Sequence, residues 1–156
     1  VLDRLALRRA EWSRERAWNA LIARVDGVVL CKPQTYMNLS GSAVASVSRF
    51  YHIPPGEVLV VFDDMALPLG RLRLRPAGSS GGQNGMKSVI AQLGTDQIAR
   101  LRLGIGGANP GEAIGHVLGR FRKDQVPALE LMLERAEACI ECAQREGLER
   151  AMNAFN

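Results

Sequence analysis

The stretch EVLVVFDD, Glu57 to Asp64, is a short unbroken apolar run closed by two carboxylates. Its length and β-branched content predict a strand buried on both faces, which requires a sheet with helices on either side. The neighbouring LGRLRLRP alternates without exception, so Leu72 and Leu74 share one face of a second strand while Arg71, Arg73 and Arg75 share the other. A glycine-rich loop, a helix GMKSVIAQLG ended by Gly94, and a third strand ARLRLGIG follow. Strands and helices in this alternation predict the α/β class: a single domain over residues 1–156, with a mixed, twisted sheet flanked by helices on both faces.

The flanking segments fit that frame. VLDRLALRRAEW places Val1, Leu2, Leu5 and Trp12 on roughly one helical face, yet no Ser, Thr, Asp or Asn precedes it as a cap, so the pattern starts already under way. AWNALIARV and VVLCKP are apolar runs joined by Asp26-Gly27, a pair that favours a tight primed turn, and they predict a hairpin. NLSGSAVASVSRFYHI predicts a helix rich in small residues, with Asn38 and Ser40 as capping candidates and Pro54-Pro55-Gly56 as its stop. From Asp124 to Asn156, apolar positions such as Leu129, Met132, Leu133, Ala136 and Ile140 predict one or two amphipathic helices.

Composition bounds what such a chain does. With 156 residues, 47% hydrophobic and 23% charged, it is long enough to bury a core without a disulfide or metal staple. No apolar run approaches the ~20 residues of a spanning helix, so no membrane segment is expected. Three cysteines, an odd number, argue against a disulfide framework and for a reducing, cytoplasmic compartment. Cys31 in VVLC reads as a core thiol. Cys139 and Cys142 form a C-x-x-C within a helical pattern, without a second pair or nearby histidines, and no metal site is expected there. A net charge of +4 is compatible with an anionic partner and does not by itself require one.

The loop Gly78 to Gly85 reads either as a long surface turn or as a cradle in which backbone N–H groups meet a ligand at a helix N-terminus. It is not a nucleotide P-loop, because Met86 separates glycine from lysine in GMKS. GIGGAN likewise lacks the last glycine of a dinucleotide fingerprint. Gln83 and Asn84 interrupt the glycines with amides, which donate and accept without charge and suit a carbonyl or a sugar. Asp63 and Asp64 end a strand, where ligands of open α/β sheets gather; they read as a turn-forming pair or as an acid that orients a base. His52 precedes prolines at a helix end and reads as a capping residue, and His116 as an ordinary strand-edge residue. Neither supplies an obvious base.

Taken together, CKPQTYMNLSG, VLVVFDDMALPLGRLRLRPAGSSGGQNGMKSVI, LGTDQIARLRLGIG and AMNAFN resemble the bacterial-type peptidyl-tRNA hydrolases. The likeness runs the length of the chain, with the M-N-L-S-G, D-D and G-G-x-N-G elements in order. It implies cleavage, without cofactor or metal, of the ester joining a peptide to the terminal ribose of tRNA, and so a role in recycling tRNA from stalled translation by a cytoplasmic monomer. In that family a histidine activates the water and an aspartate holds its tautomer; Asp63 matches the aspartate. Asn38 and Asn84 match asparagines that hold the substrate end, and Tyr36 an aromatic of the same pocket. Arg75 and Arg102 match basic positions that clamp a tRNA phosphate.

Two departures accompany the resemblance. A first strand, a G-N-P-G turn and a T-R-H-N segment carrying the histidine should precede Val1, and the later ANPG, Ala108 to Gly111, is misplaced to substitute. The expectation is therefore an N-terminally incomplete, poorly active hydrolase or, alternatively, a non-catalytic RNA-binding relative. Gln83 also stands where the family commonly has histidine, and Ala66 where an acid is frequent. Glutamine at the substrate end keeps a neutral hydrogen bond but carries no proton charge. A general esterase is disfavoured, because no G-x-S-x-G elbow is present.

Overall fold

A computed structural model describes residues 1–7, 10–107 and 120–156 of the chain. The fold is α/β, with sheets flanked by helices, and its contacts divide it into two compact units. The first comprises Leu2–Val58 and Ala77–Ala99; the second comprises Val1, Leu59–Pro76 and Arg100–Asn156.

The first unit opens with a short helix α1 (Leu2–Ala6), whose Leu5 and Ala6 are buried. An antiparallel sheet of β1 (Ser13–Glu15), β2 (Ala20–Val25) and β3 (Val28–Pro33) follows. The expected hairpin is present: Val25 pairs with Val28, and Asp26 and Gly27 both take positive φ, 49° and 81°. Two left-handed residues in succession make the primed turn that matches strand twist. Helix α2 (Ser40–Phe50) packs on this sheet through Ala43 and Val47 against Ala20 and Ile22, and α3 (Asn84–Leu93) completes the unit.

The start of α2 differs from expectation. A 3-10 turn, Met37–Leu39, runs straight into it, and the N-cap is Leu39 with no side-chain cap. Ser40 Oγ donates to the Met37 carbonyl at 2.9 Å instead of capping. The turn leaves Asn38 exposed rather than folded back on the helix end. At the other end, the Ile53 N–H donates to the Ser48 carbonyl at 2.8 Å and the His52 N–H to that of Arg49, with His52 at φ 55°. This is a Schellman stop with histidine in the left-handed position usually given to glycine, so His52 is a capping residue.

In the second unit the strand order is β4 (Leu59–Asp64), β6 (Ala99–Gly104), β5 (Leu72–Arg75). β5 and β6 are antiparallel. β4 and β6 meet at their C-terminal ends, where the Ile105 N–H donates to the Asp64 carbonyl at 3.1 Å, so they run parallel and the sheet is mixed. Helices α4 (Val126–Glu146) and α5 (Leu148–Phe155) cover one face, burying Met132, Ala136, Cys139 and Ala151 against Leu72, Leu74, Leu101 and Leu103. The other face carries Arg73 and Arg75, as alternation along β5 requires. β4 is half-buried throughout instead of fully buried, because it lies at an edge of this sheet with one neighbour among the described residues. Along the opposite edge, the side-chain amide of Asn156 pairs with the backbone of Leu74: Oδ1 accepts from its N–H at 2.6 Å and Nδ2 donates to its carbonyl at 3.2 Å.

Candidate functional site

The first unit brings Asn38 and Asn84 together. Helices α2 and α3 lie side by side at Gly41, whose N–H donates to Ser88 Oγ at 3.0 Å. A Cβ on Gly41 would stand only 2.1 Å from the Ser88 carbonyl oxygen, so this close approach requires glycine. Met37, next to Asn38, sets its sulfur 3.7 Å from Gln83 Nε2 and against Gly85, the two residues that flank Asn84. At the far end, Ser48 and Arg49 of α2, with His52 just beyond it, share a cleft of about 480 Å³ with Gln92 and Leu93 of α3. The two helices therefore run in the same direction, with their N-termini together.

That arrangement has an electrostatic consequence. Each helix N-terminus carries the equivalent of roughly half a positive charge. Two of them side by side favour negative charge developing beside Asn38 and Asn84, both of which are exposed and neutral. Tyr36, 82% exposed, stands at the same end. The preceding loop uses glycine for its backbone: Gly81 and Gly82 take φ 57° and 84°, and a Cβ on either would meet nothing within 4 Å. Here the glycines permit left-handed turns rather than close contact.

Gln83 has a structural duty that the sequence did not advertise. Its Oε1 accepts from the Met86 N–H and caps α3, while Nε2 faces the Met37 sulfur. Glutamine is an unusual N-cap, outside the favoured short polar set. This explains why no capping signal was legible there. The cleft at the C-terminal ends of α2 and α3 lies at the wrong end for these residues: the whole of α2, eleven residues and about 16 Å long, lies between His52 and Asn38.

The second unit holds Asp63, Arg75 and Arg102. Asp63 continues the row of Leu59 and Val61, which pack toward the helices, and the pleat turns Asp64 to the opposite face. There Asp64 Oδ2 accepts from Nε of Arg102, and its Oδ1 accepts from the Ala66 N–H at 2.8 Å. Arg102 lies directly across from Arg73, and Arg75 across from Arg100, so four arginines share this face. The sequence showed the arginine alternation on β5; the pairing with β6 and the ion pair to Asp64 depended on register.

Cys31 packs in the first unit's core and Cys139 is fully buried in the second. Burial pushes both thiols up to about 11. Neither is poised as a nucleophile. Among the described residues no cluster of His, Cys, Asp and Glu could hold a metal ion, and no helix is long and apolar enough to cross a membrane. His116 and the ANPG segment lie outside the described residues.

Exposed amides at two helix N-termini mark the first unit and an arginine-bearing sheet face marks the second, in a chain of the α/β class. The model of the peptidyl-tRNA hydrolase family matches residues 1–156, and the chain belongs to that family. It is 53% identical over 135 residues to the peptidyl-tRNA hydrolase of Symbiobacterium thermophilum, covering 86% of this chain and 71% of the relative. A Synechococcus peptidyl-tRNA hydrolase is 54% identical over 128 residues, covering 81% of this chain and 57% of the relative. Among solved structures, that of peptidyl-tRNA hydrolase from Acinetobacter baumannii superposes with a TM-score of 0.89 at 27% identity, covering 97% of this chain and 80% of that one.

Proposed function

We propose that this chain hydrolyses the ester between peptide and tRNA in peptidyl-tRNA. The single observation that carries the reading, beside family membership, is the parallel packing of α2 and α3, which sets Asn38 and Asn84 at two adjacent helix N-termini. Attack of water on the ester carbonyl creates a tetrahedral oxyanion. Amide N–H donors and aligned helix dipoles stabilise that charge more than they stabilise the neutral ester, which is the condition for lowering the barrier. Tyr36 offers a flat ring on which a terminal base or a peptide side chain stacks. Gln83 holds the start of α3 in place and so supports Asn84. By the resemblance, Asp63 orients the imidazole that takes the proton of the attacking water, a role to which no histidine among the described residues is assigned. His52 is not that base, since it terminates α2 at the far end of the helix. Arg75 and Arg102 take the tRNA phosphate, and water is the only co-reactant.

The test is release of a labelled N-acetylaminoacyl group from tRNA. The expected result is ester cleavage that Asn84→Ala lowers by about 100- to 1,000-fold in kcat, the range for loss of one donor to a developing oxyanion. Tight tRNA binding without cleavage would overturn the hydrolase reading in favour of a non-catalytic RNA-binding relative.

A further inference from the structure

We propose that Asp64 is a positioning residue, holding Arg102 through Nε so that its terminal nitrogens and the guanidinium of Arg73 take one phosphate group together. The inference rests on the reading of tRNA as substrate and adds two residues to it. Asp64 ends β4 and its side chain is only 14% exposed. Both of its oxygens are engaged, one by the Ala66 N–H at 2.8 Å and the other by Arg102 Nε, so the carboxylate is fixed in place. Among the described residues Arg102 makes this one ion pair, and it makes it through the inner nitrogen. A carboxylate held at Nε lies along one edge of the planar guanidinium and leaves the outer fork of the two Nη groups for a phosphate.

The register supplies the second half. Arg73 lies directly across from Arg102 in the antiparallel pair, where Cβ atoms are about 4.5–5.5 Å apart. Arg75 is opposite Arg100 and therefore only diagonal to Arg102. Like charges directly opposite destabilise a sheet unless an anion bridges them. Arg73 is exposed and makes no ion pair among the described residues. A phosphate bridging Arg73 and Arg102 converts that repulsion into two charge-assisted contacts, and Asp64 keeps Arg102 from swinging away when the site is empty. Asp64 thus acts through Arg102 and does not itself touch the RNA.

The sign of one substitution separates this from simple charge balance. Asp64→Asn adds one positive charge to the face, so bare electrostatics makes the variant bind RNA more tightly. Positioning makes it bind more weakly. The probe is deacylated tRNA, with Kd measured across about 50 to 200 mM salt. The expected outcome is weakening of about five- to tenfold in Asp64→Asn at low salt. In Arg73→Ala the expectation is similar weakening with a salt slope reduced by about one contact. Affinity equal to or tighter than wild type in Asp64→Asn, or an unchanged slope in Arg73→Ala, overturns the proposal. If Asp64→Asn does not fold, Arg102→Lys decides, because it keeps the charge and discards the fork: wild-type affinity in that variant overturns the proposal, and weakening supports it. A wild-type chain that binds no tRNA brings down the functional reading itself, whereas tight wild-type binding with indifferent variants brings down this assignment alone.

Discussion

Replacing Gly41 with alanine tests whether the close packing of α2 on α3 holds the two asparagines together. The added Cβ would lie 2.1 Å from the Ser88 carbonyl oxygen, 2.4 Å from its carbon and 2.8 Å from the Val89 nitrogen. All three are backbone atoms of a helix, so no side chain can swing aside. Restoring ordinary contact at about 3.4 Å requires the helices to part by about 1.3 Å at this point. Overpacking of this kind costs about 1–3 kcal/mol, at the upper end when backbone must move. Loss of the Gly41 N–H bond to Ser88 Oγ adds about 1 kcal/mol. Alanine's better helix propensity returns up to about 1 kcal/mol. The net is a loss of about 2–3 kcal/mol, or a fall in Tm of about 4–12 °C for a chain of this size. Thermal unfolding followed by circular dichroism measures it, with Gly56→Ala as control, since a Cβ at Gly56 meets nothing within 4 Å. Hydrolysis should fall by more than the unfolded fraction explains, because displacement of about 1 Å in a positioned group costs up to 100-fold. If Gly41→Ala melts with Gly56→Ala, the helices are not locked at this contact and the argument for convergent N-termini fails.

The half-buried Cys31 and the buried Cys139 predict an alkaline limit. Burial raises Cys31 and Cys139 from 9.0 to about 11, so the folded state keeps protons that the unfolded state releases. Their contribution is complete below pH 9 and is lost as pH rises through about 11, up to about 2–3 kcal/mol per thiol. Denaturant midpoints measured from pH 8 to pH 11 should therefore decline, and Cys139→Ala should flatten the decline even if it lowers stability at every pH; an unchanged slope would show that the thiol ionises freely when folded. Asn156→Ala should cost about 1–2 kcal/mol by leaving both the Leu74 N–H and carbonyl without their side-chain partners, which urea titration checks. Wild-type stability in that variant would mean that water satisfies the edge equally well.

Local patterns made much of the fold legible. Asp26-Gly27 specified its turn, strict alternation specified the faces of β5, and Gly94 specified the end of α3, because each depends on the chain within a few residues. β4 misled for the opposite reason: an apolar run records how hydrophobic a strand is, not how many neighbours it has. Asn38 and Ser40 looked like caps by residue type, yet the 3-10 turn before α2 left one exposed and bonded the other to Met37. The candidate residues Asn38, Asn84, Asp63, Tyr36, Arg75 and Arg102 came from the resemblance, while composition alone left the glycine loop and the acid pair ambiguous. Asp64 and Arg73 were beyond reach, since their meaning lies in a strand register that joins residues 38 apart in one case and 29 in the other. Gln83 as a cap was hidden by its chemistry, which propensity assigns elsewhere.

The amide of Asn156 gives the molecule a built-in reporter. Because its side chain occupies both hydrogen-bonding groups of Leu74, the amide proton of Leu74 can exchange with solvent only when the closing helix has come loose from the sheet margin. Deuterium uptake at that one position therefore reads how often the C-terminal turn frays, without any label attached to it.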